Sequence, residues 1–334
     1  MPAGSGGKSG ASGVGGSPGT GGKSGAASGG SQASGGSAGG GSGGSSGKAG
    51  AGNAGKGGVG GRAGSGAEGG EPDVGEGGVG AAPTGGSAGS SAGSFSTNRD
   101  DFFGDPRCSA ELDLCEDFES GEFDQEIWEP SGTEHPSVDD TRAARGEYSA
   151  HFHTTDNGLS MIRTRAIFPA TGNTYFGRMF VYFDSMPTAP EDAHWTVSGA
   201  QGPDAEEFEV RVGGQYDGTI NRFAVGSDHG PTGDWTNKDE DPGDAVPVKE
   251  WVCLEWMHKG DTHETRFFWD GVEHPSLYTS ATEHGGEQAE PYELPNFASV
   301  WFGWWLYQPE TVPAEFDVWI DEIALDSERI GCDE

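Results

Sequence analysis

The chain has 334 residues, 62 of them glycine, and a formal net charge of -35 at pH 7. Residues 1–94 hold 40 Gly, 5 Lys or Arg, 4 Asp or Glu and no aromatic residue, which leaves 14 basic and 50 acidic residues for 95–334. A domain this acidic repels the phosphate backbone of nucleic acid, so nucleic acid is not expected as a partner. No apolar run approaches the roughly 18 residues of a membrane span, so no span is expected.

The first hundred residues are dominated by Gly and Ser. Such a segment buries almost no apolar surface, and ordering its glycines costs entropy that nothing offsets. We therefore expect residues 1–100 to form a disordered linker or stalk and 101–334 to form the folded domain. The first residues lack the basic and apolar segments of a signal peptide. Because the domain looks exported, to the medium or the cell surface, we expect another export route or a true start further upstream.

From Cys108 onward, apolar and polar residues alternate with the period of two that is typical of half-buried strands. The pattern predicts strands at 114–119, 148–153, 161–168, 175–183, 193–199, 206–212, 219–225, 250–259, 264–270, 298–307 and 315–326. Asp270-Gly271 between two apolar runs predicts a tight hairpin. No stretch of about twelve residues has helical spacing. The prediction is an all-β fold, a two-sheet antiparallel β-sandwich of the jelly-roll kind.

Four of the ten tryptophans bear on ligand binding. Trp301, Trp304 and Trp305 crowd one predicted strand, where Trp301 and Trp305 share one face and Trp304 points to the other. Trp235 lies in a long polar loop, 227–248, of a length that is functional or disordered in compact domains. Sugar rings stack on Trp and Tyr because the C–H faces of a sugar suit the negative face of an aromatic ring. The alternative is that most of these side chains fill the core.

The chain has four cysteines: Cys108, Cys115, Cys253 and Cys332. Their spacing lacks the close pairs of a zinc site. An even number in an exported domain predicts two disulfides, and three pairings are possible. We favour Cys108–Cys115 with Cys253–Cys332, and reduced, buried thiols are the alternative.

The two ends of the domain carry recognisable segments. Cys115-Glu116-Asp117-Phe118-Glu119-Ser120-Gly121 opens it, and Phe316-Asp317-Val318-Trp319-Ile320-Asp321-Glu322-Ile323-Ala324-Leu325 closes it. They are similar to the ends of carbohydrate-binding and polysaccharide-lyase jelly rolls of the concanavalin-A-like type. Trp251-Val252-Cys253-Leu254-Glu255-Trp256 and Glu328-Arg329-Ile330-Gly331-Cys332 resemble the core of the fungal cellulose-induced protein and its glucuronan-lyase relatives. The resemblance covers 108–332, behind a Gly/Ser-rich segment similar to stalks of bacterial surface proteins, and it implies polysaccharide binding in a concave cleft.

The resemblance also implies a structural Ca²⁺ ion where the first and last strands lie side by side. Carried over by position, its ligands would be Glu119, a carbonyl of Gly146 or Ser149, and Asp321. Ca²⁺ takes six to eight oxygen ligands, so carboxylates and carbonyls suit it. The alternative is that these are ordinary polar residues at strand ends.

A lyase of this fold neutralises a uronate carboxylate, removes the C5 proton and protonates the leaving oxygen. By resemblance to the paired-Arg strand and the Tyr-x-Gln ending of alginate lyases, Arg163 and Arg165 would neutralise the carboxylate and Tyr307 would be the acid. His194, at the start of a predicted strand, is the candidate base. The alternatives are a solvated strand face for the two arginines and a hydrogen-bonded surface histidine. The residues expected to bind substrate are Trp235, Trp304, Gln308 and Arg211. The pattern departs from the family where Gly303, Trp304 and Trp305 stand near the position of an expected Lys.

We therefore expect an extracellular, monomeric glycan-binding domain. The alternatives are an active uronan lyase and a structural or adhesion protein with a protein partner. The lyase requires that Arg163, Arg165, His194 and Tyr307 converge on one concave surface. The acidity of the domain opposes a polyanionic substrate unless local arginines or Ca²⁺ reverse the sign of the potential in the cleft.

Overall fold

The computed structural model describes residues 95–203, 209–228, 235, 245–285 and 290–334. The strands are β1 (Leu114–Glu116), β2 (Glu129–Gly132), β3 (Ser137–Asp139), β4 (Ser149–Thr155), β5 (Leu159–Thr164), β6 (Thr174–Phe183), β7 (His194–Gln201), β8 (Glu209–Tyr216), β9 (Asn221–Asp228), β10 (Trp251–Lys259), β11 (Glu264–Trp269), β12 (Val272–Glu273), β13 (Ser299–Leu306) and β14 (Glu315–Asp326). Three 3-10 turns lie at Arg99–Asp101, Thr171–Asn173 and Pro275–Leu277. Across the described residues, no helix is long and apolar enough to cross a bilayer.

The strands form two antiparallel sheets, which confirms the predicted all-β sandwich. One sheet has the order β12-β11-β10-β6-β14-β4-β3, with β1 also paired to β14, and the other has the order β2-β5-β13-β7-β8-β9. The first and last strands lie side by side as expected, with Leu114 opposite Leu325. The apolar core is between the sheets, where alternate side chains of both meet.

Of the linker predicted at 1–100, residues 1–94 lie outside the described residues, whereas 95–100 lie against the domain. The guanidinium of Arg329 lies over the ring of Phe95 at 4.7 Å. The Ser96 N–H donates to Asp333 Oδ2 at 2.9 Å. Residues from Phe95 onward therefore pack with the sandwich.

A β-bulge interrupts the pairing of β13 with β7. The register of β13 against β7 shifts between Phe302 and Trp305, and Gly303 has a φ of +152°. A Cβ atom at Gly303 would lie 2.2 Å from the Ser160 carbonyl oxygen, so only glycine fits there. The alternation of side chains along β13 continues through the bulge, so Trp304 faces the core with Phe302 while Trp305 faces outward with Trp301.

Sequence patterning misplaced several strand ends, those of β1, β5, β8 and β9, and missed the short edge strands. The strand predicted at 161–168 ends at Thr164, because Arg165 begins a turn in which the Phe168 N–H donates to the Arg165 carbonyl at 3.0 Å. The edge strands β2 and β3 have four and three residues, and β2 contains Pro130, so neither shows an alternating pattern.

The predicted hairpin and disulfides are present. Asp270 and Gly271 have φ values of 47° and 78°, and Trp269 is paired with Val272, as in a two-residue hairpin loop. Both disulfides have the favoured pairing, Cys108–Cys115 and Cys253–Cys332. The described residues contain no free cysteine.

Candidate functional site

One row of directly paired residues crosses the six-stranded sheet on the side away from the core. In strand order it runs Glu129, Arg163, Trp301, Gly199, Arg211 and Gly226, and Trp235 forms a bridge with Gly226. Residues opposite one another in register point to the same face of a sheet, so these side chains share one surface. We call this surface the outer face.

The outer face carries a stack of aromatic rings along β13. Trp305 and Tyr307 are stacked with centroids 4.4 Å apart, and Trp301 lies 6.3 Å from Trp305. The Arg211 guanidinium lies 4.6 Å from the centre of the Tyr307 ring, in a cation–π contact. Trp305 and Tyr307 are half-buried, whereas Trp301 is fully buried. Trp305 and Tyr307, which we call the aromatic platform, therefore present ring surface to a ligand.

Glu209 fixes the inner end of this stack. Its carboxylate accepts a hydrogen bond from Trp301 Nε1 at 2.7 Å and forms an ion pair with Arg211, whose Nε lies 3.1 Å away. A Cβ atom at Gly199 would lie 2.4 Å from Trp301 Nε1, so the indole lies directly on the glycine backbone. The buried Glu209 thus orients both an aromatic ring and the cation that contacts Tyr307.

The remaining polar residues predicted for the site gather at the end of the aromatic platform. The N–H of His194 donates to Gln308 Oε1 at 2.5 Å, and the Tyr307 N–H donates to the His194 carbonyl at 3.1 Å. The His194 ring meets Trp235 edge to face at 5.7 Å. The Tyr307 hydroxyl lies 3.3 Å from Thr196 Oγ1. His194, Tyr307, Gln308, Trp235 and Arg211 therefore do share one region.

The two arginines predicted as a pair are separated. Arg163 is half-buried on the outer face, and within the described residues its side chain contacts no carboxylate, with one bond, at 3.9 Å, to Met161 Sδ. Its Nε is buried without a hydrogen-bond partner there. Arg165 lies past the end of β5 and pairs with Glu129 at 2.5 Å, with both side chains more than half exposed. Among the described residues, Arg163 is thus a cation without an acidic partner.

Arg163 and Tyr307 lie at different positions along the strand direction of the sheet. Arg163 is opposite Trp301, and Tyr307 follows Trp301 by six positions, one taken up by the bulge. At about 3.3 Å per residue their Cα atoms are roughly 16 Å apart along β13. The cation beside Tyr307 is instead Arg211, so the four predicted catalytic residues do not gather around one point.

Trp304, predicted to bind substrate, lies in the core. It is fully buried against Phe183, Trp195 and Phe316, and it offers no surface to a glycan. The outward tryptophans are its neighbours Trp301 and Trp305. The sequence placed these two on a common face but could not tell which face is buried, because both faces of β13 are apolar.

The two carboxylates predicted to hold calcium, Glu119 and Asp321, both accept hydrogen bonds from the loop between β3 and β4. Glu119 Oε1 accepts the N–H groups of Glu147 and Tyr148 at 2.7 and 2.9 Å. Asp321 Oδ2 accepts those of Ala144 and Arg145 at 2.8 and 3.0 Å, and burial, the largest effect, raises the pKa of Asp321 to about 8.

The other two predicted positions flank the same loop. A Cβ atom at Gly146 would lie 2.2 Å from Glu119 Oε1, so the carboxylate rests against the glycine. Ser149 Oγ donates to the Arg142 carbonyl at 2.7 Å. Oxygen donors from two strands and two loops suit Ca²⁺ chemically. However, Glu119 Oε1 and both carboxylate oxygens of Asp321 already accept N–H groups, Asp321 Oδ1 from Glu322 at 2.8 Å. The calcium site stays a prediction.

No protein-family model matches the chain, and no curated protein matches it. Among solved structures, the chain is similar to the cellulose induced protein Cip1, with 24% identity and a TM-score of 0.50 over 66% of this chain and 99% of that one. It is also similar to the CBM22-1 xylan-binding domain from Paenibacillus barcinonensis Xyn10C, with 13% identity and a TM-score of 0.33 over 66% of this chain and 96% of that one. The first likeness shows the fold alone, and the second is too loose to carry an argument.

Proposed function

We propose that this protein binds a polysaccharide on the outer face of its six-stranded sheet, outside the cell. The observation that carries the proposal is the aromatic platform, Trp305 and Tyr307, stacked and half-buried on an outward strand face. A stacked pair of this kind gives an apolar surface for a sugar ring, and the surrounding polar groups can receive its hydroxyls. The two disulfides are typical of proteins in oxidising compartments, which supports an extracellular location.

Removing either ring of the platform is expected to weaken glycan binding. Tyr307→Ala or Trp305→Ala deletes a stacking surface, a loss on the order of 1.4 kcal/mol or about tenfold in Kd. The measurement is affinity electrophoresis of the full chain in gels containing glucuronan, alginate or a neutral β-glucan, followed by calorimetry with the glycan that retards it. Trp251→Ala is the matched control, because Trp251 is equally half-buried but lies on β10 of the other sheet.

Two results would contradict this proposal. Retardation by none of the three glycans would favour a structural role with a protein partner. An equal loss of affinity in Trp251→Ala and Tyr307→Ala would show that binding does not use the outer face.

The unpaired Arg163 bears on whether the glycan is acidic. A guanidinium without a carboxylate partner can pair with a uronate, which partly offsets the repulsion between an acidic domain and a polyanion. If the bound glycan carries uronates, Arg163→Gln weakens binding of glucuronan or alginate and leaves a neutral β-glucan unaffected. An equal loss of affinity for both kinds of glycan would show that Arg163 does not act by pairing with a uronate.

The second candidate function is β-elimination of a uronan, favoured by the closeness of Tyr307, Arg211 and His194. In that reaction a base takes the C5 proton, the C4–O bond breaks as a C4–C5 double bond forms, and an acid protonates the leaving oxygen. Activity would appear as a rise in ultraviolet absorbance from unsaturated uronates, lost in Tyr307→Phe while binding remains. The ion pair of Arg211 with Glu209 leaves it less able to neutralise a uronate, so binding without reaction is the better-supported function.

We also propose that Ca²⁺ is held by Glu119, Asp321 and carbonyls of the loop around Gly146 and Ser149. The full chain is then expected to melt at a higher temperature in CaCl₂ than in EDTA. With Ca²⁺ at 100 times its Kd the gain is about 2.7 kcal/mol. Glu119→Gln should remove the difference, since an amide oxygen still accepts the two N–H groups but carries no charge, whereas the exposed Glu122→Gln should keep it. Identical melting of the wild type in both solutions would show that the two carboxylates serve only to bind the loop.

A further inference from the structure

Glu209 and Arg211 form a buried ion pair within the outer face. They lie two positions apart in β8, so their side chains point to the same side of the sheet. Glu209 Oε1 is 3.1 Å from Arg211 Nε, and the two side chains are only 4% and 7% exposed. Because the pair is held away from water, a charge left uncancelled there would act strongly on neighbouring groups.

The pair lies beside the aromatic platform. The Arg211 guanidinium is 4.6 Å from the centre of the Tyr307 ring and 5.8 Å from that of the Trp305 ring. A sugar in van der Waals contact with these rings, about 4 Å from them, would have the guanidinium within roughly 10 Å. An uncancelled cation at that distance would attract a sugar carboxylate and favour an acidic glycan over a neutral one.

The local structure holds the Glu209 carboxylate against Arg211. Trp301 Nε1 donates to Glu209 Oε2 at 2.7 Å, so each carboxylate oxygen has its own donor. A Cβ atom at Gly199 would lie 2.4 Å from Trp301 Nε1 and 2.7 Å from Glu209 Cδ, so the glycine leaves room for this bond. Since hydrogen bonds to a charged group are strong, Glu209 cannot turn away from Arg211 without losing its bond to Trp301.

The other arginine of the outer face has a different environment. Among the described residues, Arg163 contacts no carboxylate, and its Cα atom is roughly 16 Å from that of Tyr307 along β13. The outer face therefore has one arginine whose charge is paired and one whose charge is not. The aromatic platform lies beside the paired one.

We propose that Glu209 is the specificity-determining residue of the outer face. By cancelling the charge of Arg211 beside the aromatic platform, it makes the platform select a neutral sugar unit over a uronate. This inference rests on the proposed function, because it names the sugar that the platform accepts. A neutral unit also brings no further negative charge to an acidic domain, which repels a polyanion.

The test compares two ligands that differ in charge alone. Cello-oligosaccharides and glucuronan oligosaccharides are both β-1,4-linked, and the second kind carries a carboxylate in place of each C6 hydroxymethyl group. Calorimetry of the full chain with the two kinds at equal length gives two Kd values, and their ratio is the readout. A loss of stability or of stacking weakens both ligands alike, and Arg163 contributes equally in every variant below. Only a change of charge near the bound sugar therefore moves the ratio.

The wild type should bind the cello-oligosaccharide more tightly. Glu209→Gln should move the ratio on the order of tenfold toward the glucuronan oligosaccharide, because it leaves the Arg211 charge uncancelled. Arg211→Gln should move it the other way, and the double variant should restore the wild-type ratio. Glu264→Gln is the matched control that should leave the ratio unchanged, since Glu264 pairs with Arg266 Nε at 3.0 Å, two positions along β11 of the other sheet.

Two outcomes would overturn this inference and leave the proposed function intact. One is the same ratio in the wild type and in Glu209→Gln, and the other is an equal shift in Glu264→Gln, which would make overall charge the determinant. Binding of neither oligosaccharide by the wild type, with no retardation by any polysaccharide, would overturn the proposed function and this inference together. Should Glu209→Gln fail to fold, the opposite shift expected in Arg211→Gln is the test, and an unchanged ratio there would overturn the role of the pair.

Discussion

Replacing Glu322 by glutamine is expected to lower the free energy of unfolding by about 3–5 kcal/mol. Glu322 Oε2 lies 3.1 Å from Arg145 Nη1 and 3.0 Å from Arg178 Nη2, and all three side chains are fully buried. Its other oxygen accepts the Arg107 N–H at 2.7 Å. Glutamine keeps the volume but removes the carboxylate charge with which both buried guanidinium groups pair.

The cost is large because neither arginine can easily shed its charge. Burial, the largest effect, lowers the pKa of Arg145 to about 10, and the attraction of Glu322 works against that fall. Even so, both guanidiniums stay protonated near neutral pH. Without Glu322 they lose their directly paired carboxylate in a medium that solvates charge poorly.

The measurement is chemical denaturation of the full chain in EDTA, so that no calcium contribution enters. Glu129→Gln is the matched control, since its ion pair with Arg165 is exposed and worth about 1 kcal/mol or less. A loss below about 1 kcal/mol in Glu322→Gln would show that water or another anion compensates the arginines.

Removing the Cys253–Cys332 disulfide, by alanine at both positions, is expected to cost about 4 kcal/mol and to lower Tm by about 10 °C. The bond joins residues 79 apart in sequence, and closing so long a loop in advance removes much entropy from the unfolded chain. Both cysteines are fully buried beside Phe102, Ala144 and Phe180. Alanine keeps the Cβ atom, so the main loss is the cross-link itself.

The second disulfide is the internal control for this prediction. Cys108 and Cys115 are only 7 residues apart, and the same loop-closure argument gives about 2 kcal/mol for their removal. Calorimetry of the two double variants compares them directly. An equal or larger loss for the Cys108–Cys115 pair would mean that local packing, and not loop length, sets the contribution of these bonds.

The sequence by itself determined the fold class and several local features. Alternation with a period of two is a property of consecutive residues, so it revealed most strands without reference to their neighbours. The Asp270-Gly271 turn and the common face of Trp301 and Trp305 are likewise local, because they depend on positive φ and on spacing along one strand. The sequence also singled out His194, Tyr307, Gln308 and Trp235, which the fold brings to one region.

Only the tertiary structure decided which of these residues act together. Arg211 contacts Tyr307 although they are 96 positions apart, and Asp317 of β14 contacts both His151 and His153 of β4. The Gly303 bulge and the turn that removes Arg165 from β5 leave no periodic signal. The physical reason is that strand neighbours and buried faces are set by pairing between distant segments, whereas sequence pattern records only the alternation within each segment.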